Sequence, residues 1–248
     1  VTGPTGSGKT TTLYSTLKSM ATRDVNVCTI EDPIEMIEGS FNQVQVQPSL
    51  DLGFADGLKA LLRQDPDIIM VGEIRDLATA EMAVQAALTG HLVISTLHTT
   101  DAASAVTRLV DLGIAPYLLA ATLNGVMAQR LLRTLCEDCK RESALSGDEW
   151  RMMTAPWKAK PPTRIYQANG CLKCRNTGYY GRIGVYEIMP MSHDLKDLIS
   201  SNASLADIRQ KAFALGMKSL RLAGAQKVAH GLSTVEEVLR VTPAVSSQ

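Results

Sequence analysis

The stretch Gly3-Pro4-Thr5-Gly6-Ser7-Gly8-Lys9-Thr10, near the start of a 248-residue chain, decides the fold. It matches GxxxxGK[ST], in which a glycine-rich turn points successive backbone N–H groups at phosphate oxygens. A helix starting near Lys9 would add the positive end of its dipole. The pattern assigns the Lys9 ammonium to the β- and γ-phosphates and the Thr10 hydroxyl to Mg²⁺. The alternative is a chance glycine-rich turn, and the full match before a clean helix argues against it.

Downstream of this loop, short apolar runs alternate with helical patterns. Strands are predicted at residues 25–30, 68–73 and 91–97. Helices are predicted at residues 9–21, 53–63, 77–89, 102–112 and 115–132. Such alternation predicts an α/β fold with a mainly parallel sheet covered by helices, and continuously apolar strands fit a sheet buried on both faces.

Carboxylates follow two of the predicted strands. Glu73 ends the apolar run at residues 68–73, where a phosphate-loop enzyme places an acid near Mg²⁺. Because glutamate is longer than the more usual aspartate, a metal-bound water is a possible intermediary. Glu31, Asp32 and Glu35 follow another strand, and one of them is expected to position the attacking water. Local chemistry does not select among the three, and a solvated acidic loop is the alternative.

Two histidines flank the third predicted strand. His91 and His98 are seven residues apart, so a regular strand places them on opposite faces and a shared metal is not expected. His98 is a candidate sensor of the γ-phosphate, although a structural histidine is the more frequent case when the pattern is considered alone.

Four of the five cysteines form two CxxC pairs, Cys136 with Cys139 and Cys171 with Cys174. Two such pairs predict a closed, structural tetrahedral zinc site. Two redox pairs are the alternative, but nothing thioredoxin-like surrounds them. The fifth cysteine, Cys28, lies in an apolar run and is predicted to be an inert core residue.

Composition narrows the classes of function. Lys+Arg and Asp+Glu both number 25, so the formal net charge is zero, whereas a dedicated nucleic-acid binder usually has a basic excess. No apolar run is long enough to span a membrane and no signal peptide opens the chain, so a membrane role is expected to be peripheral.

The composition changes after residue 132, and four parts are predicted. They are a phosphate-loop core at residues 1–132, a tetracysteine zinc module at 133–185, a helical segment at 186–242 and a tail at 243–248. Within the helical segment, capping-box spacing pairs Ser204 with Asp207 and Ser233 with Glu236.

These motifs together resemble the type II/type IV secretion ATPase family, over residues 3–242. The matching blocks are GPTGSGKTTTLY, TIEDPIE, RQDPDIIMVGEIRD, TGHLVISTLHTTDA and MAQRLL, followed by the cysteines. The likeness is greatest to the type II secretion assembly members, with the type IV pilus assembly members second. The resemblance implies a RecA-like domain in which Glu35 is the catalytic glutamate, Glu73 the Walker B acid, and His98 a γ-phosphate sensor in a histidine box.

The same resemblance implies ATP as the nucleotide, with Mg²⁺ and Zn²⁺, and hydrolysis that drives pseudopilus assembly. It also implies a cytoplasmic homo-hexamer, peripheral at the inner membrane and docked on platform proteins. Family members carry N-terminal docking domains that supply arginine fingers to a neighbour, and this sequence has only Val1 and Thr2 before the loop. A nucleic-acid motor and a non-enzymatic, nucleotide-gated scaffold are the rival interpretations.

Overall fold

A computed structural model describes residues 1–244, so most of the predicted tail lies outside the described residues. The first part alternates strands and helices in the predicted manner, apart from an additional strand at residues 42–45 that was not predicted. Its elements are α1 (Lys9–Met20), β1 (Val27–Glu31), β2 (Asn42–Gln45), α2 (Phe54–Leu61), β3 (Ile68–Val71), α3 (Leu77–Leu88), β4 (Leu92–Ser95), α4 (Ala102–Asp111) and α5 (Pro116–Thr122).

The four strands form a parallel sheet in the order β2-β1-β3-β4, which confirms the predicted α/β class. Strands β1 and β3 are buried along their whole length, as expected of central strands in a parallel sheet that is covered on both faces. Parallel strands place their carboxyl ends at one edge of the sheet, so the residues that follow β1, β3 and β4 converge there.

The second part of the chain begins with a long antiparallel ribbon and continues mainly as helices. Its elements are β5 (Gly125–Leu135), β6 (Arg141–Ser143), α6 (Gly147–Thr154), β7 (Ile165–Gln167), β8 (Tyr179–Pro190), α7 (His193–Ser200), α8 (Leu205–Ala214), α9 (Leu220–Ala229) and α10 (Val235–Val241). Strands β5 and β8 pair with each other, and β6 pairs with β7. Both predicted domain boundaries, at residues 132/133 and 185/186, fall inside the β5–β8 ribbon.

The helix predicted at residues 115–132 is confirmed over its first part and wrong over its second. Helix α5 ends at Thr122, and residues 125–135 form β5. Leucine, alanine, methionine, glutamine and arginine favour helices in isolation, but pairing with β8 overrides that weak preference. Inward-facing Val126, Ala128 and Leu132 follow the period of a strand and are buried in the main core.

Helix caps in the C-terminal segment follow the expected chemistry, with one shift. The Ser204 hydroxyl accepts a hydrogen bond from the Asp207 N–H, as predicted. The second cap is Thr234, which accepts from the Glu237 N–H, and not Ser233 with Glu236. The Ser233 hydroxyl instead donates to the Arg133 carbonyl on β5 at 2.8 Å, so a tertiary contact decides which hydroxyl caps α10.

Residue Thr2 joins the sheet to the ribbon. It makes parallel bridges to both Leu97 and Ala128, so the glycine-rich loop starts between β4 and β5. Within residues 1–244, no helix combines the length and the apolar character that crossing a membrane requires.

Candidate nucleotide site and cysteine cluster

The glycine-rich loop connects Thr2 to α1 and has the backbone shape that its glycines permit. Gly6 and Gly8 have φ values of 75° and 86°, in the left-handed region that favours glycine. Gly8 caps α1 without a side chain, leaving the helix N-terminus open towards the cavity beside it. The Lys9 ammonium lies folded on the loop and donates to the carbonyls of Gly3 at 2.9 Å and Pro4 at 3.1 Å.

A cavity of about 420 Å³ lies at the carboxyl edge of the sheet, against this loop. Of the predicted site residues, those on its wall are Thr5, Gly6, Gly8, Lys9, Thr10, Glu31, Asp32, Glu35, Glu73 and His98. Gly3, Pro4 and Ser7 belong to the loop but are not on the cavity wall. The structure therefore brings together residues separated by up to 93 positions along the chain.

Glu73 follows β3 and is only 9% exposed. Its Oε1 lies 2.6 Å from the guanidinium of Arg75, and its Oε2 lies 3.6 Å from His98 Nε2, beyond hydrogen-bond distance. Within the described residues, Oε2 is buried and has no hydrogen-bond partner. A buried, unpartnered carboxylate oxygen beside a phosphate loop fits a Mg²⁺ ion or a metal-bound water, since Mg²⁺ prefers oxygen ligands and keeps several waters.

The charge of Lys9 is influenced by opposing effects. Burial lowers the pKa of its ammonium, while Glu73 and Glu35 raise it and Arg130 lowers it. Lys9, Glu35 and Glu73 are thus close enough for their charges to interact. This is the grouping expected of a cation and two acids that act on one anionic ligand.

The acidic loop separates into two kinds of carboxylate. Glu31 is 3% exposed, accepts from the Thr29 hydroxyl through Oε1 and from the Tyr14 hydroxyl through Oε2, and also accepts from the Gln43 amide. Desolvation, with a further contribution from Glu31, raises the pKa of Tyr14, so Tyr14 stays a donor. Both oxygens of Glu31 are therefore engaged internally, whereas Asp32 and Glu35 are exposed at the cavity.

The two histidines have different environments. His98 lies on the cavity wall near Glu73. His91 lies elsewhere, where its Nδ1 contacts the Ala86 carbonyl and the Thr89 hydroxyl at the end of α3. The two imidazoles therefore contact different parts of the fold.

Sequence reasoning missed several charged and polar residues at this site. Arg75 pairs with Glu73, and Arg182 on β8 reaches the cavity wall. Arg130 on β5 donates to the Thr100 carbonyl at 2.6 Å and so holds the segment that follows His98. The arginine two positions after Glu73 was a usable signal for Arg75, but the partners on β5 and β8 depend on a ribbon that the helix prediction excluded.

The four cysteines of the CxxC pairs form a compact cluster. Their sulfur atoms all lie within 4.8 Å of one another. The Sγ atoms of Cys136 and Cys171 are 3.9 Å apart, and those of Cys171 and Cys174 are 3.7 Å apart. Four thiolates at about 2.3 Å from a tetrahedral zinc ion would be roughly 3.8 Å apart. The cluster therefore fits a closed Cys₄ metal site.

Backbone N–H groups are directed at these sulfurs. Cys171 and Gly178 donate to Cys174 Sγ, each at 3.2 Å, and Gly170 donates to Cys139 Sγ at 3.3 Å. Burial alone would raise the pKa of the Cys174 thiol, but the backbone hydrogen bonds around it lower that pKa to about 6. A thiolate at this position is what metal ligation requires. Burial raises the pKa of Cys139 to about 11, so in the absence of a cation the cluster does not favour four thiolates together.

A parallel α/β sheet whose glycine-rich loop, lysine and strand-end acids enclose one cavity defines the class of phosphate-loop nucleotide-binding proteins. Within that class the chain belongs to the family described as type II/IV secretion system protein, whose model matches residues 1–240.

Similar proteins include filament-assembly and secretion ATPases. The chain is 61% identical over 98% of its length to the type IV pilus assembly ATPase TfpB of Acinetobacter baylyi, of which it covers 42%. It is 50% identical, again over 98% of its length, to the type II secretion system ATPase E of Vibrio cholerae, of which it covers 48%. The chain thus spans less than half the length of either relative.

The fold is also similar to a solved structure of the pilus retraction motor PilT with bound ADP. The TM-score is 0.69 at 30% sequence identity, over 96% of this chain and 59% of that one. This likeness agrees with the α/β architecture.

Proposed function

We propose that the chain is the catalytic part of a Mg²⁺-dependent ATP hydrolase that drives assembly of a filament at a bacterial inner membrane. The observation that carries this proposal is the grouping of Lys9, Glu35 and Glu73 around one cavity, with Glu73 Oε2 buried and unpartnered. Membership of the family alone would not assign the chemistry, but this arrangement has the cation and the acids that phosphoryl transfer to water needs.

Each residue has a role that follows from its position. The N–H groups of residues 5–10 and the Lys9 ammonium bind the β- and γ-phosphates, displacing the ammonium from the Gly3 and Pro4 carbonyls. Mg²⁺, when bound near Thr10 and Glu73, would offset phosphate charge. Glu35 orients a water for in-line attack, and His98 reports on the γ-phosphate. Positioning and charge stabilisation supply most of the rate.

Glu35 is a better candidate for orienting water than Glu31. Glu31 is buried and its two oxygens accept hydrogen bonds from Thr29, Tyr14 and Gln43, so it is less available than an exposed carboxylate to accept a proton from water. Glu35 is exposed at the cavity and influences the charge of Lys9. Asp32 shares the cavity and is the alternative within the same loop.

The machinery that the hydrolysis would serve is that of type II secretion, where it would power pseudopilus assembly and protein export. The 50% identity to the type II secretion system ATPase E supports this function. The 61% identity to a type IV pilus assembly ATPase favours a second candidate, assembly of a type IV pilus. In both, we propose a homo-hexamer at the cytoplasmic face of the inner membrane that contacts platform proteins through regions outside this sequence.

The cysteine cluster is proposed to hold a structural Zn²⁺. All four ligand positions are filled by Cys136, Cys139, Cys171 and Cys174, which leaves no position for a substrate. The module at residues 133–185 then stands between an ATPase core at 1–132 and a helical segment at 186–242. Because β5 and β8 cross both boundaries, this module is continuous with the core.

Replacing Lys9 with alanine tests the proposed activity. We expect Lys9→Ala to lower ATP turnover by at least about 100-fold, because an electrostatic anchor of the phosphates is lost. Lys18→Ala is the matched control, since Lys18 lies on the same helix and pairs with Glu38 outside the cavity. Phosphate release by this chain, and by a longer form that includes the upstream region, gives the measurement; equal turnover in Lys9→Ala and wild type contradicts the proposed site.

The two rival functions predict different results in the same assay. A nucleic-acid motor predicts that DNA stimulates turnover and binds with a salt-dependent affinity. A non-enzymatic scaffold predicts nucleotide binding without turnover even when the upstream region is present. Stimulation by DNA, or binding without hydrolysis in the longer form, would replace the proposed function with the corresponding rival.

A further inference from the structure

Gln129 on β5 contacts both ends of the glycine-rich loop. Its side-chain Nε2 donates to the Ser7 carbonyl at 2.8 Å, and its Oε1 accepts from the Thr12 hydroxyl at 2.8 Å. Its backbone N–H donates to the Thr2 carbonyl at 2.9 Å. Gln129 is only 2% exposed, so these bonds form away from bulk water. Gln129 therefore forms hydrogen bonds with the residue before the loop, Thr2, with Ser7 inside the loop, and with Thr12 on the helix that follows it.

The loop packs against Gln129 with no spare space. A Cβ atom added to Gly8 would lie 2.9 Å from Gln129 Nε2, and one added to Gly3 would lie 2.5 Å from the Gln129 carbonyl oxygen. Both glycines thus serve the approach of the loop to β5 as well as its turn. Gln129 can therefore lie this close to the loop only because residues 3 and 8 are glycines.

The bond to Ser7 has a consequence for the phosphate cradle. The Ser7 carbonyl and the Gly8 N–H belong to the same planar trans peptide group and point in opposite directions. Because Gln129 Nε2 holds the Ser7 oxygen, the Gly8 N–H points away from the Gln129 carboxamide, and Gly8 is one of the residues on the cavity wall. The carboxamide thus fixes the orientation of a donor that a phosphate loop uses.

We propose that Gln129 is a positioning residue for nucleotide phosphates, acting through the Ser7–Gly8 peptide of the glycine-rich loop. This inference rests on the proposed function. A carboxamide suits the position because the Ser7 carbonyl needs a hydrogen-bond donor and the Thr12 hydroxyl needs an acceptor. One neutral amide supplies both. Glutamate would offer no donor to the Ser7 carbonyl and would add a negative charge behind the phosphates.

The test measures the affinity of MgADP by displacement of a fluorescent ADP analogue, well below the unfolding temperature of every variant. Gln129→Met keeps the length of the side chain and removes both hydrogen bonds, and we expect it to weaken MgADP binding by at least about tenfold. Val185→Ala is the matched control, because Val185 is buried on the partner strand β8 and makes no contact with the loop through hydrogen bonds. It should lower the melting temperature and leave the affinity within about twofold.

A second pair of variants keeps the test decisive if Gln129→Met does not fold. Thr12→Val removes the hydroxyl that restrains the carboxamide, and Thr12→Ser keeps it. We expect Thr12→Val to weaken MgADP binding by about threefold and Thr12→Ser to restore wild-type affinity. Such a rescue follows the hydroxyl and would not arise from a change in packing alone.

The outcomes separate this inference from the function on which it rests. If wild type binds MgADP and both Gln129→Met and Thr12→Val bind as well as Val185→Ala does, Gln129 has no positioning role and the proposed function is untouched. If wild type itself fails to bind MgADP, the proposed function is overturned and the role of Gln129 with it. Weak binding by Gln129→Met or Thr12→Val, with intact binding by Val185→Ala, supports the inference.

Discussion

In both the glycine-rich loop and the cysteine cluster, a turn of the backbone presents N–H groups suited to a negatively charged partner. Different contacts hold the two turns in place. The loop is fixed by partners far along the chain, such as Gln129, which is 122 residues from Ser7, and Thr99, which is 97 residues from Thr2. The cluster is fixed by contacts among its own sulfurs and nearby N–H groups. The comparison teaches that distant partners in the tertiary fold build the first site, whereas the second is expected to depend on the Zn²⁺ proposed for it.

Removal of the metal should have the largest effect. We expect a strong chelator, or Cys174→Ser, to unfold the segment around residues 136–178, because zinc binding contributes on the order of 10 kcal/mol to folding of such sites. Zinc content and limited proteolysis measure this effect. MgADP affinity should change by less than about threefold, because the loop does not depend on the metal.

Cys28→Ala is the control for the cysteine experiment. Cys28 is buried in the sheet and lies outside the cluster, so this variant should retain one zinc per chain. If the wild-type chain holds no stoichiometric zinc, or if the segment stays folded after chelation, the cysteine cluster does not depend on a metal and the contrast between the two sites is contradicted. An equal loss of nucleotide affinity and of zinc would mean that the two sites are not independent.

The next effect concerns the acids at the cavity. Glu35→Gln should lower turnover by about 100-fold, because the amide cannot accept a proton from the attacking water. Binding of MgATP should remain close to wild type, since Lys9 and the loop are unchanged. Glu38→Gln is the matched control, as Glu38 pairs with Lys18 away from the cavity. Loss of nucleotide binding before loss of turnover would assign Glu35 to binding and not to hydrolysis.

A smaller effect, on the stability of the fold, is expected from the contact between β5 and α10. The Glu237 side chain is fully buried and accepts hydrogen bonds from Arg133 and Arg240. Burial alone would raise the pKa of Glu237, but these bonds lower it from 4.5 to about 2. Because the folded-state pKa is depressed, this stabilisation is present above pH 4.5 and is lost as the pH falls towards 2.

Replacement of Glu237 with glutamine measures that contribution. We expect Glu237→Gln to lower the free energy of unfolding by about 1–3 kcal/mol at pH 7. The gap between variant and wild type should narrow between pH 4.5 and pH 2, because over that interval the Glu237 carboxyl of the unfolded chain takes up a proton that the folded carboxylate accepts only near pH 2. Urea denaturation at a series of pH values gives the measurement, and a gap that stays constant with pH would show that the buried charge is not its source.

The parts of the molecule that sequence could predict are those set by local pattern. The glycine-rich loop, the strand that ends at Glu31, the strand before Glu73 and the clustering of cysteines all follow from spacing and hydrophobic runs. The predicted strand at residues 25–30 corresponds to Val27–Glu31 and that at residues 68–73 to Ile68–Val71, so the ends differ by a few residues.

The parts that sequence could not predict depend on distant partners. Most residues of β5 are good helix formers, and pairing with β8 overrides that preference. Glu31 could not be separated from Asp32 and Glu35, because Tyr14 and Gln43, which engage it, come from other elements. Gln129 gave no signal of its own, since its role arises only when β5 lies against the loop.

The bond between Gln129 and Ser7 also bears on how the chain matures during synthesis. A ribosome makes residues in order, so the loop at residues 3–10 is synthesised more than a hundred residues before Gln129, which holds it. Until β5 has left the exit tunnel, the nascent loop lacks the contacts that orient its peptide groups. Nucleotide capture by a growing polypeptide should therefore begin late, after the ribbon has formed.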